Sequence, residues 1–208
     1  QIIEQHGGPV TVLTAGPAEA EEQLRYAASV GGTDFVLIPN NSGGDWDPER
    51  TASAITQAVN KLEAEDGQFD LIMFGNESAD AGGFQVGVRV AVALDRPIVN
   101  GIKGIEINGL VFTARREVDT GVEVYQLEAP AVLGIREGIN LPRYPTMKGR
   151  LASKKAEIAI APIEVHSGGQ NKIRLHQPEE RVTETNVLGE SAAAAERIVD
   201  LLDELGVL

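Results

Sequence analysis

The chain has 208 residues, and its 31 Asp and Glu against 18 Lys and Arg give a formal net charge of −13, which disfavours binding to nucleic acid or to an anionic membrane surface. It contains no cysteine, which excludes disulfides, thiolate metal sites and cysteine nucleophiles. Its three histidines (His6, His166 and His176) lie too far apart for the short ligand spacings of a zinc site.

Over the first 94 residues, apolar strands alternate with helices. The predicted strands are residues 9–15, 34–39 and 70–74, and the predicted helices are 1–5 (a last turn), 18–30, 48–65 and 86–94. This alternation implies a parallel sheet with right-handed crossovers. Because residues 1–5 form only the last turn of a predicted helix and the first residue is Gln rather than Met, we expect a strand and the rest of that helix to precede it.

The next residues are predicted to add an antiparallel meander. Its short strands are 97–99, 102–107, 110–117 and 121–127. Asn108-Gly109 is a strong hairpin signal because both positions tolerate positive φ. A central strand at 131–135, a loop at 138–149, a short helix at 151–155 and a last strand at 157–163 complete this part.

The last residues are predicted to form an arm and a helix. The composition becomes polar from about residue 164, and the helix at 191–205 has an apolar face. We therefore divide the chain into an α/β nucleotide-binding domain, 1–163, and a C-terminal arm, 164–208, which packs on its own sheet or on a partner subunit. The predicted fold class is α/β, with a doubly wound, mostly parallel sheet, an appended antiparallel meander and a C-terminal helical arm.

Residues 74–87 form a Gly-rich polar loop between a predicted strand and a predicted helix. Backbone N–H groups at such a helix start converge on a phosphate, and the helix end carries roughly half a unit of positive charge. The loop matches neither G-x-G-x-x-G nor the P-loop pattern, so no motif defines the ligand. The residues alone leave two interpretations open, a nucleotide site and a polar connection that binds nothing.

Three stretches in one order carry a resemblance to a known family. The first combines T-A-G-P at 14–17 with G-G-T-D at 31–34. The second is the loop at 74–87, which is similar to a family segment of the form G-x-x-(A/S)-x-D-x-D-x-x-Q-x-G. The third runs from N-L-P-R-Y-P at 140–145 to K-K at 154–155, and is similar to the family's N-E-P-R-Y-P run and its basic end. Together they resemble the β subunit of an electron-transfer flavoprotein.

The resemblance implies a fold like that of the adenine nucleotide α-hydrolases and a heterodimer with an α subunit that carries the redox-active FAD. Such a complex accepts electrons from flavoprotein dehydrogenases, commonly acyl-CoA dehydrogenases, and passes them to a membrane quinone reductase. The chain would then be an electron-carrier subunit and not an enzyme. Its expected location is the cytoplasm, or the mitochondrial matrix in a eukaryote.

The resemblance also implies a nucleotide in this subunit, either a structural AMP or, as in electron-bifurcating members, a second FAD. Gln85 is suited to hydrogen-bond its phosphate or ribose. Two positions depart from the family pattern, since Gly82 replaces an acidic residue and Phe84 stands where small or polar residues are usual. The matching positions are Ala15, Gly75, Asn76, Glu77, Ser78, Ala79, Asp80, Ala81, Gly82, Gly83, Phe84, Gln85 and Val86.

Partner binding is predicted mainly at Met147. It matches an apolar family residue, often Leu, that anchors the β subunit in a pocket of the dehydrogenase; alternatively it covers its own loop. Glu117 matches an acidic residue that faces the flavin domain of the α subunit, or is an exposed strand-end charge. The other predicted partner-binding residues are Pro142, Arg143, Tyr144 and Lys148.

A basic group stands out in this acidic chain close to Met147. These cations are placed to steer an acidic partner, or they form a solvated helix face. The group consists of Lys148, Arg150, Lys154 and Lys155.

Two other classes of function remain as alternatives. A stand-alone nucleotide-binding domain, such as a universal-stress-like sensor or an ATP-using enzyme, requires a phosphate loop with more Gly and Ser, Thr or Lys than 74–87 provides. A purely structural interaction protein would not co-purify with a yellow, FAD-containing chain. No serine or histidine forms a recognisable nucleophile–base pair, and no run of about 18 apolar residues predicts membrane insertion.

Overall fold

The computed structural model describes residues 2–40, 46–78, 82–164, 169–170, 173–177 and 185–207. The chain divides into two compact units, Gln1–Asn171 and Lys172–Leu208. Within the described residues the strands are β1 (Thr11–Gly16), β2 (Asp34–Pro39), β3 (Leu71–Gly75), β4 (Ile98–Asn108), β5 (Val111–Val118), β6 (Gly121–Glu128), β7 (Ala131–Ile135) and β8 (Ala159–Ile160). The α-helices are α1 (Ile2–His6), α2 (Glu21–Ser29), α3 (Pro48–Asp66), α4 (Val86–Ala93), α5 (Met147–Ser153) and α6 (Ala195–Glu204).

The first sheet is parallel and has the order β1-β2-β8. Its central strand β2 is covered on both faces. Ile38 packs with Ala54 of α3 on one face, and Phe35 packs with Leu24 of α2 on the other. Burial on both faces explains why the sequence of β2 is almost continuously apolar.

The second sheet is mixed and has the order β3-β7-β4-β5-β6. β3, β7 and β4 are parallel, and β4, β5 and β6 form an antiparallel meander. The core of this sheet contains Ile102, Phe112 and Leu133. Helix α4 lies against its parallel part, with Val90 and Ala91 fully buried.

The predicted α/β class, the meander and the C-terminal helix are confirmed, but the described strands form two sheets and not the single doubly wound, mostly parallel sheet that was predicted. Within the described residues, β1 pairs with β2 whereas β3 pairs with β7, and no ladder joins β1 to β3. Both sheets therefore lie in the first compact unit, Gln1–Asn171, which we call unit 1. Helix α3 connects them, because it packs on the first sheet and also contacts α4.

Several predicted elements differ in their bounds from the observed ones, and the largest differences are at β4, β8 and α5. The strands expected at 97–99 and 102–107 are one strand, β4, whose pairing register shifts between Val99 and Ile102, where Gly101 has a φ of +76°. The expected last strand shortens to the two residues of β8. Helix α5 begins at Met147 and not at residue 151, because the Thr146 side chain caps it by accepting a hydrogen bond from the Gly149 N–H (3.0 Å).

The second unit contains α6, which a turn of 3-10 helix at Ser191–Ala194 precedes. Ile198, Leu201 and Leu205 recur on one side of α6 and are exposed. The amphipathic pattern predicted from the sequence is therefore present, with its apolar side open to solvent.

Candidate functional site

The start of α4 has no side-chain cap among the described residues. Gln85 occupies the N-cap position without capping the helix through its side chain. The amides of residues 86–88 have no partner inside the helix, since the first turn of any α-helix leaves such donors free. The helix dipole adds positive potential at the same end. This helix start is therefore suited to an anion such as a phosphate.

The connection from β3 to α4 is tied to β7 at its start and contains one internal backbone hydrogen bond. The Asn76 N–H donates to the Ile135 carbonyl at the end of β7 (3.0 Å), and the Gly82 N–H donates to the Ser78 carbonyl (2.8 Å). Gly82 and Phe84 have positive φ, +55° and +50°. A phenylalanine in this region is strained, and such residues concentrate at functional sites. Ala79, Asp80 and Ala81, also predicted here, lie outside the described residues.

The starts of α3 and α4 lie side by side. A Cβ at Gly83 would be 3.6 Å from the Pro48 ring, and the Arg89 guanidinium lies 3.9 Å from the Glu49 carboxylate. Helix α3 is already capped, because the Asp47 carboxylate accepts from the Arg50 N–H (2.9 Å). Of these two helix starts, that of α4 is therefore the one without a side-chain cap among the described residues.

Arg89 is a candidate site residue that the sequence analysis missed. Its Nε and Nη2 donate to Gln85 Oε1 at 3.3 and 3.2 Å, across one turn of α4. The Gln85 amide is thus oriented by Arg89, and its NH₂ group remains as a donor. The signal in the sequence is a Gln and an Arg four residues apart, which is the spacing of neighbours on one helix face.

Ala15 belongs to the other sheet. It is half-buried near the end of β1 and packs in the cluster that contains Ile38 and Ala54, under α3. The Gly16 carbonyl that follows accepts from the Asn40 N–H (2.8 Å). Among the described residues, α3 links Ala15 to the start of α4, because α3 packs on the first sheet and touches α4.

The segment before α5 exposes apolar side chains in an otherwise acidic chain. Leu141, Tyr144 and Met147 are 85%, 92% and 76% exposed. Arg143 holds the segment through both terminal nitrogens, each 2.6 Å from an oxygen of the Glu4 carboxylate on α1. This bidentate pair fixes orientation as well as position. Pro142 and Lys148, also predicted here, are exposed.

The sequence profile of the electron transfer flavoprotein domain matches residues 1–165. The chain belongs to the electron transfer flavoprotein family. It is similar to the electron transfer flavoprotein subunit beta of Bacillus subtilis, with 39% identity over 155 residues, which cover 74% of this chain and 59% of the relative. The subunit beta of Thermoanaerobacterium thermosaccharolyticum is 30% identical over 187 residues, 89% of this chain and 70% of the relative. That of Mycobacterium bovis is 36% identical over 153 residues, 74% of this chain and 56% of the relative.

The family resemblance predicted from three short stretches is therefore confirmed. The alignments span between 56% and 70% of the length of these three electron transfer flavoprotein β subunits. The family profile, which matches residues 1–165, lies within the first compact unit, and this unit contains both the β3–α4 connection and the segment before α5.

Glu117 forms an ion pair in this flavoprotein chain. Lys103 Nζ on the neighbouring strand lies 2.7 Å from Glu117 Oε2, and the Glu117 side chain is 61% exposed. The hydrogen bond from Lys103 holds the pKa of Glu117 below its ordinary value. A partner cation would therefore meet a carboxylate that is ionised and already paired.

A second charged cluster in the meander was not predicted. Arg116 Nε donates to Glu123 Oε2 (2.7 Å), and the Tyr125 hydroxyl donates to the same oxygen (2.8 Å). The hydrogen bond from Tyr125, with the one from Arg116, lowers the pKa of Glu123. Arg116 also packs beside Gly101, where a Cβ would lie 3.2 Å from its Cδ. Tyr125 packs against the core of the second sheet, so the cluster lies beside this core and next to the register shift of β4.

Most predicted residues fall into two groups. Gly75, Asn76 and residues 82–86 lie on the β3–α4 connection, and Glu77 and Ser78 are exposed there. Met147 and the residues before it lie at the start of α5, which packs on α2. Within the described ranges, no group of three or more His, Asp or Glu could hold a metal ion. None of the described helices is both long and apolar enough to cross a membrane.

The Glu4–Arg143 pair predicts an acid-dependent effect. The hydrogen bond from Arg143 lowers the pKa of Glu4 from 4.5 to about 2. Since the folded-state pKa is the lower one, the pair contributes fully above pH 4.5 and is lost as the pH falls through about 2. We expect Glu4→Gln to lower the thermal midpoint slightly at neutral pH, and this difference to shrink on acidification. Thermal unfolding of both chains across this range checks it; a difference that grows in acid would contradict it.

Proposed function

We propose that this electron transfer flavoprotein chain acts as the β subunit of a heterodimer whose α subunit carries the redox-active FAD. The complex takes electrons from flavoprotein dehydrogenases, such as acyl-CoA dehydrogenases, and delivers them to a quinone reductase. The family match over residues 1–165 supports this role. The chain's own residues do no covalent chemistry; they hold a nucleotide, contact the α subunit and present a docking surface.

The nucleotide of this subunit is an AMP or a second FAD at the start of α4. The observation that supports it is the uncapped helix start, whose amides at residues 86–88 suit a phosphate. The Gln85 NH₂ group, oriented by Arg89, adds a donor. AMP would stabilise the subunit, whereas FAD would supply a second redox centre. Both bring a phosphate to the same amides.

The C-terminal arm is the part of this chain that we expect to dock on the α subunit. The exposed apolar side of α6, with Ile198, Leu201 and Leu205, has the chemistry of a surface that docks on another chain. We assign the α subunit as its partner, in agreement with the prediction made for residues 164–208.

The decisive experiment is co-expression of the full chain with its α-subunit partner. The purified complex is denatured, and the released nucleotides are separated and quantified. We expect one FAD per heterodimer from the α subunit, together with one AMP or one further FAD. A chain that purifies without a flavin-containing partner and binds ATP instead would favour the stand-alone nucleotide-binding domain.

Gln85→Glu is expected to weaken nucleotide binding at least about fivefold. The substitution preserves size but places a negative charge beside the phosphate position, where repulsion amounts to about 1–4 kcal/mol. Bound nucleotide per heterodimer, measured after dialysis, checks it. Gln126→Glu is the matched control, because Gln126 is exposed on β6 in the meander. Full nucleotide retention by the Gln85 variant would contradict the assignment of this helix start.

A further inference from the structure

Helix α5 is clamped onto α2 at a glycine. A Cβ at Gly149 would overlap the backbone carbonyl oxygen of Ser29, the last residue of α2. Only a residue without a side chain allows this approach. The Gly149 N–H also donates to the Thr146 hydroxyl, which caps the helix. The first turn of α5, which includes Met147, is thus pressed against α2 and fixed at its cap.

The other end of α5 is held by Arg25 of α2. Its Nη1 donates to the Ser153 carbonyl (3.0 Å) and the Ala156 carbonyl (3.4 Å). These groups lie at the C-terminal end of α5, where carbonyls lack helical partners and the dipole favours a cation. The Glu21 carboxylate holds the same guanidinium through Nε (2.8 Å). A charged side chain of α2 therefore caps the end of α5.

The clamp explains how an exposed side chain can have a defined direction. Met147 is 76% exposed, so no packing of its own holds it. Its backbone is the first turn of α5, which is fixed at Gly149 and at Arg25. A docking side chain on a fixed backbone loses less conformational entropy on binding than one on a free loop.

We propose that Gly149 and Arg25 are positioning residues that set the direction in which Met147 meets an apolar pocket of a dehydrogenase. This inference rests on the proposed function. The exposed basic side chains Lys148, Arg150 and Lys154 belong to the same short helix or its C-terminal cap, so the pocket that fits is rimmed by carboxylates. Helix α2 then contributes to docking by holding α5 in place, and does not itself contact the dehydrogenase.

Three variants of the full heterodimer test the clamp. Gly149→Ala should raise the KM for a short-chain acyl-CoA dehydrogenase, supplied with butyryl-CoA, by about tenfold, because displacement by about 1 Å misaligns the contact. The increase would occur although alanine favours a helix over glycine. Arg25→Met, which keeps an apolar stem but removes the caps, should act in the same direction. Glu21→Gln is the control, since glutamine keeps a side-chain oxygen to accept from Arg25 Nε and removes only the charge, so the carbonyl contacts of Arg25 are retained.

Two further measurements separate positioning from general damage. Reduction of the flavin by dithionite, which needs no docking, should be unchanged in all three variants. Amide exchange at residues 149–153 should accelerate in Arg25→Met but not in Glu21→Gln. Combined with Met147→Ala, the Gly149→Ala change should add no further loss, since the side chain that it positions is already gone.

Three results would overturn the proposal. An unchanged KM in Gly149→Ala and Arg25→Met, or a loss that adds fully to that of Met147→Ala, would show that the clamp does not act through Met147. If Met147→Ala alone left the KM unchanged, docking through Met147 would fail, and positioning would fail with it. If the complex accepted no electrons from the dehydrogenase but was still reduced by dithionite, the proposed function itself would fail.

Discussion

Replacing Arg96 by leucine is expected to lower the free energy of unfolding by about 3–5 kcal/mol. The Arg96 side chain is 3% exposed and its Nη2 lies 2.6 and 2.8 Å from the two Glu63 oxygens. Glu63 Oε1 also accepts from the Phe69 N–H (3.0 Å), so the pair joins the end of α3 to the loops before β3 and β4. Without Arg96, the Glu63 carboxylate would remain almost buried and uncompensated. Urea denaturation of both chains gives the difference.

Two comparisons sharpen this prediction. Arg115→Leu removes an ion pair with Glu106 in which the two side chains are 42% and 67% exposed, and it should lower the free energy of unfolding far less than Arg96→Leu does. The double change Arg96→Leu, Glu63→Leu should recover much of the loss, because no charge is left buried and Arg96 Nε has no hydrogen-bond partner among the described residues. A single Arg96 variant as stable as the Arg115 variant would contradict the buried-pair argument.

The strands and helices that pack against a core could be predicted because their burial is periodic. β2 and β7 have the predicted bounds, since each is almost continuously apolar and flanked by turn residues. The turn at Asn108-Gly109 was equally clear. The split into two sheets could not be predicted, because strand order depends on which backbone edges pair, and the side-chain pattern of β1 or β3 does not encode its neighbour.

The site was predictable where its residues are consecutive. The β3–α4 connection follows from a strand, a glycine-rich segment and a helix start, and Arg89 lies one turn further on. Contacts between distant residues were not predictable, because no local pattern links Glu4 to Arg143, or Arg25 to Ser153. The start of α5 was missed because Gly149 suggests a break, whereas here it permits the contact with Ser29.

Met147→Ala is expected to lower kcat/KM for reduction by the dehydrogenase by about 30- to 150-fold, with association of the α subunit unchanged. Burial of a methionine side chain in an apolar pocket contributes about 2–3 kcal/mol, and an exposed side chain on a fixed helix start keeps most of that contribution. Stopped-flow reduction of the heterodimer by the acyl-CoA dehydrogenase measures it, and gel filtration reports the association.

Leu110→Ala is the matched control for this prediction, because Leu110 is 60% exposed at the turn between β4 and β5 and far in sequence from α5. If the area of exposed apolar surface alone governed docking, Met147→Ala and Leu110→Ala would lower kcat/KM by similar factors. A local anchor instead predicts a loss at Met147 and none at Leu110. Equal rates for Met147→Ala and the unsubstituted complex would exclude the anchor, and docking would then have to depend on the basic side chains Lys148, Arg150 and Lys154, whose contribution salt would screen.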